Sequence, residues 1–512
     1  MTPLPVRIGT REQFARVRSS LSAAGYTADA VAARAGSRTI YEFKAIYEGR
    51  TQAVDINDVL DLLIRLFMDS AGQEEALVAK YLPADAIAAM AELGLLRHPA
   101  GRPDHWEASV LLYPAEGLWI ISDADANPAR ATAETTPVDV VYPAISRNTG
   151  RFLSYLPQRP VEHFLELCGG TGIAALRAAK ASKRAWTADI TERATAFAAF
   201  NAALNGLDNV AAVAGDLYEP LKGQTFDLIV AHPPYVPATE QKFIFRDGGE
   251  DGEQITRRII VGLPEYLRRG GRMYCTCLAT DRKDALLEQR VREMLGSAES
   301  EFDVVVVTMQ EYDPLEYYAR SAVAGRETFA RVGEWYALFE RLGIRRLVYS
   351  TIVVNRHGGT RPTITARRQV APAISPREVD WLLEWEGAVR EPGMPEALMA
   401  ARPRVPVSVD LMMNLRQQGP EWMPTEVALG TQWPFMLKVD VPVWTATLLS
   451  RCDGKASVAE HLAFFQGEGV ITAEEGRDSF LRLVQILISA GILEVAGHPL
   501  PPIPPPPPGP KS

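Results

Sequence analysis

The stretch Leu165-Glu166-Leu167-Cys168-Gly169-Gly170-Thr171-Gly172-Ile173 constrains this chain more than any other. An apolar, strand-sized run ends in glycines and gives way to an Ala-rich helical segment over 173–182. Glycines let backbone approach a ligand closely, and the helix that follows presents free N–H groups to it. The turn does not choose its ligand: NAD, FAD and S-adenosylmethionine sites all use one, and a tight turn without a ligand looks the same. The surrounding pattern fixes the fold class. Apolar runs at 161–167, 184–190, 209–215, 226–231 and 272–279 alternate with helical segments, including 192–205. Two more runs, at 302–309 and 345–355, flank a helical stretch over 316–342. This rhythm predicts an α/β unit with a parallel sheet covered on both faces.

Functional residues are expected where these strands end. Asp189 closes the second strand, where a carboxylate can take both hydroxyls of a ribose. Asp216 closes the third, where it can accept from an adenine amino group. The fourth strand ends in His232-Pro233-Pro234-Tyr235. Adjacent prolines fix the backbone and remove two N–H donors, so neighbouring carbonyls are expected to point into the cleft as acceptors. That suits a planar –NH₂ group, on which Tyr235 can stack. Cys275 and Cys277 have the wrong spacing for a zinc pair and read as structural.

These residues together resemble the class I S-adenosylmethionine-dependent methyltransferases. The branch with an Asn-Pro-Pro-Tyr tetrapeptide, which includes the release-factor glutamine methyltransferases, is the nearer likeness. The resemblance covers about 145–300 and extends through the run from Asn201 to Leu207 and through Asp247-Gly248-Gly249-Glu250-Asp251-Gly252. It implies a Rossmann-like core of seven strands and S-adenosylmethionine as cofactor. Cofactor binding would fall to Glu166, Cys168, Gly169, Gly170, Thr171, Gly172, Asp189, Ile190, Asp216, Leu217 and His232. Catalysis would fall to His232, Pro233, Pro234 and Tyr235, with no metal. Two positions depart from the pattern: Cys168 stands where the loop usually has its first glycine, and His232 replaces the Asn. Neutral imidazole offers one donor and one acceptor across a ring, so His232 can orient an amine or act as a base. The segment 243–252 is expected to form a lid, with Asp251 capping the helix after it.

Flanking regions complete the organisation. Residues 1–130 read as a helical unit, standing where the resemblance implies a substrate-recognition domain, with a short hairpin within 106–123, and 127–136 reads as a linker. The methyltransferase unit spans 138–370, and a proline-punctuated connector 371–442. A winged-helix-like module occupies 443–497, and a proline-rich tail 498–512. From 451 to 497 there are four basic and seven acidic residues, a poor match to a DNA reader. Arg356, Arg361, Arg367 and Arg368 are the local counter-signal, a candidate phosphate track. The whole chain carries 54 Lys and Arg against 63 Asp and Glu, which disfavours nucleic acid as partner. No apolar run is long enough to span a bilayer, and four cysteines in 512 residues fit a reducing cytoplasm. The expected acceptor is a protein, a peptide or a planar amine of a small molecule. An RNA or DNA base methyltransferase and a non-catalytic cofactor-binding scaffold are the alternatives; oligomeric state is open.

Overall fold

The computed structural model describes residues 3–42, 55–126, 136–238, 243–323, 328–359, 361–370, 375–472 and 476–503. The first unit contains helices α1 (Arg11–Ala23), α2 (Ala28–Arg34), α3 (Val59–Leu63), α4 (Glu75–Tyr81) and α5 (Ala84–Glu92). Three short strands, β1 (Gln73–Glu74), β2 (Leu96–Arg97) and β3 (His105–Ala108), pair among them. The expected hairpin is β4 (Val110–Ala115) with β5 (Leu118–Asp123). Its tip, Glu116-Gly117, has positive φ at both residues, 53° and 66°, the geometry that matches the twist of paired strands.

This unit is not a separate helical domain. Its buried side chains join one apolar cluster with those of the α/β unit. Phe14 of α1 meets Phe200 edge-on at 5.1 Å, and Arg193 donates to the buried Asp123 from Nε at 2.8 Å. The expected linker at 127–136 lies outside the described residues except for Thr136.

The α/β unit begins with α6 (Arg147–Ser154) and continues through β6 (His163–Leu167), α7 (Ile173–Ala179), β7 (Arg184–Asp189), α8 (Glu192–Leu204) and β8 (Val210–Ala214). Then come β9 (Phe226–Ala231), α9 (Gln254–Tyr266), β10 (Leu267–Arg282), α10 (Leu287–Met294) and β11 (Phe302–Tyr312). The two-helix insertion α11 (Pro314–Val323) and α12 (Phe329–Leu342) precedes β12 (Ile344–Arg356). The sheet has eight strands rather than seven, because β13 (Thr365–Gln369) adds parallel to β11 at the edge. Strand order is β13-β11-β12-β10-β9-β6-β7-β8, with β12 antiparallel to both neighbours.

The chain leaves β6 towards β7 and β8, then returns to place β9 on the other side of β6. A crevice opens at the carboxyl ends of strands where the order reverses in this way. β6 and β9 are buried on both faces, so their sequences run nearly continuously apolar. Cys275 and Cys277 both point into one of those faces and are fully buried. Among the described residues no group of side chains could hold a metal, and no helix is long and apolar enough to cross a membrane.

The stretch read as a connector is folded. It forms α13 (Pro376–Ala388), α14 (Met394–Ala400) and an antiparallel sheet of β14 (Val409–Gln418), β15 (Glu421–Thr431) and β16 (Leu437–Val441). The last module keeps its three helices, α15 (Trp444–Arg451), α16 (Val458–Gly467) and α17 (Gly476–Ser489). Its expected terminal strand reduces to isolated bridges, Arg404 to Glu494 and Val495 to His498. The sheet beside these helices therefore precedes them, unlike the wing of a winged helix. Most of the proline tail lies outside the described residues.

Candidate active site between the loops after β6 and β9

The glycine loop is built by backbone demands. Cys168 and Gly170 take left-handed φ values of 56° and 54°, which costs a non-glycine residue about 1 kcal/mol or more. Gly169 has no room for a Cβ against the Thr187 hydroxyl. Gly172 stands behind the loop, where a Cβ would come 3.0 Å from that of Ala198; it lets α7 pack on α8 and does not line the cavity. Glu166, the last inward residue but one of β6, accepts from the N–H groups of Ala174 at 3.2 Å and Ala175 at 2.9 Å. Burial pushes its carboxyl up to about 7, against the pull of those two donors.

Asp189 braces the same loop. One oxygen accepts from Gly170 N–H at 2.9 Å, the other from Thr191 N–H at 3.0 Å and its hydroxyl at 3.1 Å. Burial raises this carboxyl too, and the N–H bonds oppose it. Asp216 accepts from Arg258 at 2.8 Å. Burial and the neighbouring carboxylates raise the Cys168 thiol far above its ordinary value, so this cysteine stays protonated and inert.

The loop after β9 has the opposite character. The His232 ring stacks on Phe152 at 5.2 Å and 17° and lies 5.6 Å from the Tyr235 ring. Its Nε2 is buried with no hydrogen-bond partner. Burial pushes the imidazole down to about 4, leaving it neutral at physiological pH. Burial also raises the Tyr235 phenol to about 12; its oxygen accepts from Asn148 at 3.0 Å. The expectation for the carbonyls fails at two positions. Pro234 and Tyr235 turn their oxygens towards Gly248 and Gly252, and a Cβ at Gly248 would come 2.7 Å from the Pro234 oxygen.

Those glycines explain how 243–252 docks. Val236 N–H donates to Arg246 at 2.9 Å and Gly248 N–H donates to Val236 at 2.9 Å. The segment is thereby fixed to the proline loop, and Phe245 stacks on Tyr142 at 5.2 Å over the cleft. Asp251 does not begin the helix: Glu253 occupies the cap position of α9, and Asp251 accepts from its N–H at 2.9 Å.

The two loops line one cavity of about 750 Å³, within the ordinary range for a cofactor or small ligand. Glu166, Cys168, Gly169, Gly170, Thr171, Asp189, Ile190, Asp216, Leu217 and the whole tetrapeptide His232–Tyr235 share its wall, and only Gly172 of the expected residues does not. Tyr142, Asn148, Phe152 and Phe245 also line it. Phe245 belongs to the segment expected as a lid; Tyr142, Asn148 and Phe152 come from the approach to β6, where no recognisable pattern marked them. Ser146, which caps α6 through its hydroxyl, is the one local signal that a helix begins beside the site.

Residues 144–305 match the family described as Methyltransferase small domain. This part of the chain is similar to that family. Three relatives show the extent of the similarity. A ribosomal protein uL3 glutamine methyltransferase of Bradyrhizobium diazoefficiens is 39% identical over 129 residues, 22% of this chain and 40% of that protein. A release factor glutamine methyltransferase of Thermodesulfovibrio yellowstonii is 33% identical over 123 residues, 22% of this chain and 44% of that protein. Another release factor glutamine methyltransferase, from Xylella fastidiosa strain Temecula1, is 33% identical over 173 residues, 30% of this chain and 58% of that protein. The chain thus spans about half the length of the curated relatives it matches.

Methyltransferases of this family use S-adenosylmethionine, and the residues present fit that cofactor. Its sulfonium and amino groups are cationic, and Glu166, Asp189 and Asp216 bring three carboxyls to one side of the cavity. The Asp189 oxygen that accepts from Gly170 keeps a second lone pair for a ribose hydroxyl, and one Asp216 oxygen is not engaged by Arg258. The candidate phosphate track does not survive. Arg361 is spent on Asp303, Arg367 on Asp281 and Glu288, and Arg356 on Glu301. Arg368 donates to Ser489 at 2.7 Å, between α13 and α17.

Proposed function

We propose that this chain is an S-adenosylmethionine-dependent N-methyltransferase whose acceptor is a planar nitrogen of a protein. The observation that carries the reading is His232: a neutral imidazole with a buried, unpartnered Nε2, in the same cavity as three carboxyls. When bound, the cofactor supplies an electrophilic methyl group on a cationic sulfur. Glu166 would offer its carboxyl to the positive end of that ligand, Asp189 would accept from its ribose hydroxyls and Asp216 from its adenine amino group. His232 Nε2 accepts one N–H of an incoming –NH₂ group and sets its plane. Phe152 fixes the imidazole by stacking, and Tyr235 offers its ring as a platform for the flat acceptor. Pro233 and Pro234 have no N–H to compete for the nitrogen lone pair. The proton released on transfer passes to Nε2. An N-protonated amide is a far stronger acid than an imidazolium that titrates near pH 4, so the depressed value is no obstacle. A protein acceptor is supported by relatives named for methylating glutamine in a ribosomal protein and in release factors. The paired state of the arginines after β12 speaks against a nucleic acid track.

The test is transfer of tritiated methyl into a host lysate, divided by size and treated separately with protease and nuclease. Label removed by protease alone is the expected outcome. Label removed by nuclease alone, or confined to small molecules, overturns the protein acceptor. Cofactor binding without any transfer overturns the enzyme.

A further inference from the structure

The hairpin of β14 and β15 is the most exposed regular structure in the molecule. Side chains at 409, 411, 413 and 415 share one face of β14, and their partners on β15 include Leu429 and Val427. Leu429 and Val427 are buried at the foot of the sheet, at 0% and 1% exposure. On the same face β14 carries Leu411, Met413 and Leu415 at 42%, 43% and 50%, and the outer part of β15 carries Trp422 at 63%. A contiguous apolar stripe of this kind, left uncovered on one face of a sheet, marks a contact surface.

The two edges of the hairpin differ. β16 pairs with β15 only over Val427–Thr431, so the outer half of β15 has a free edge. That edge is blunted by Pro424, which has no N–H, and by the bulge where Asn414 faces Glu426 but Leu415 faces Pro424. The edge of β14 has no such protection. It offers ten residues, Val409–Gln418, without a proline, and pairs with nothing on its outer side among the described residues. Protection on one side only is the pattern expected when the other side is paired.

The sequence of β14 names the partner. Asp410 and Arg416 lie three residues either side of Met413, on the face opposite the apolar stripe. Neither forms an ion pair within the described residues. We propose that β14 pairs antiparallel with β14 of a second copy of this chain, about a two-fold axis at Met413. In this register Asp410 faces the partner's Arg416, and Arg416 faces the partner's Asp410. Leu411 faces the partner's Leu415, and Met413 faces the partner's Met413. Both charges are satisfied twice over by one symmetry operation, and the apolar stripe becomes continuous across a six-stranded sheet. A self-complementary contact of this type is what a two-fold dimer requires. The interface is small beside standard protein interfaces, so the dimer is expected to dissociate reversibly at roughly micromolar concentration.

Sedimentation equilibrium on the full chain tests this. Asp410→Arg or Arg416→Asp alone puts like charges opposite each other twice per dimer, and each is expected to raise the dissociation constant ~10-fold or more. The double reversal, Asp410→Arg with Arg416→Asp, restores the pairs and is expected to restore the dimer, which a merely misfolded hairpin would not do. Met413→Cys is expected to cross-link to itself on oxidation, since directly opposed strand residues lie within disulfide reach; Gln418→Cys, far from the axis, is not. A monomer at all concentrations overturns the proposal. So does a dimer indifferent to both single reversals.

Discussion

The loop after β6 and the loop after β9 close the same cavity from adjacent strands, with different means. The first is rich in carboxyl groups and in left-handed backbone: Glu166, Asp189 and Asp216 surround it, and Cys168 and Gly170 bend it. The second carries no charge at neutral pH. Its imidazole is held neutral, its phenol is held protonated, and two of its residues have no N–H. A site of this design separates its tasks. One wall recognises a cation by charge, and the other receives a neutral, flat group by shape and a single acceptor atom.

The largest effect expected of any substitution that tests this division is at Gly169. A side chain there meets Thr187, so Gly169→Val should move the loop and cut cofactor affinity more than ~100-fold in calorimetry. The proline wall should still show the Phe152–His232 stack by structure determination. Next comes Asp189→Ala, which removes a brace and a charge together. Loss of charge-assisted bonds predicts about 2–4 kcal/mol in cofactor affinity; an unchanged affinity would show that the carboxyl acts on the loop alone. On the other wall, His232→Ala should lower kcat ~100-fold or more with little change in cofactor affinity. His232→Asn, which keeps an acceptor, should retain most of the rate. If both variants were equally slow, proton removal rather than orientation would be the role of the ring.

Titration sharpens the contrast further. Glu166 has its carboxyl raised to about 7, above its value in the unfolded chain. The folded state therefore holds its proton longer, and this group's contribution to stability is present at low pH and lost as pH rises from about 4.5 to about 7. Binding a cation favours the ionised carboxyl, so cofactor affinity should rise severalfold from about pH 6 to 8, and Glu166→Gln should flatten that rise. The smallest effect is at Cys168. Its left-handed conformation favours glycine, so Cys168→Gly should stabilise the chain by about 0.5–1 kcal/mol. Differential scanning fluorimetry should show the melting point raised by a degree or two, with affinity unchanged.

Much of the α/β unit was legible because buried parallel strands write themselves as apolar runs. The 226–231 run matches β9 to the residue, and the others differ by a few positions at their ends. The loops were legible because glycine and proline have few other uses at strand ends. Phe152 and Asn148 were not, because α6 is a short helix whose face towards the cavity is set by the tertiary packing of 139–152. The connector was misread for a related reason. Proline usually argues against a strand, yet Pro424 lies where β15 has a neighbour on one side only. The alternation Val409, Leu411, Met413, Leu415 was present in the sequence but masked by Met412 between them.

Asn201 deserves a last consideration, because it joins two parts that a domain diagram would separate. Its side chain accepts from Ile121 N–H at 2.7 Å and donates to the carbonyls of Ile121 at 3.2 Å and Thr171 at 3.0 Å. One buried amide therefore bolts the N-terminal hairpin to the glycine loop. Neither can open without stranding polar groups in a dry interior. Ligand that tightens the loop must then slow hydrogen exchange in β5, more than 40 residues away in sequence. The chain's first unit and its cofactor loop share a single opening equilibrium, and truncating one is a way of loosening the other.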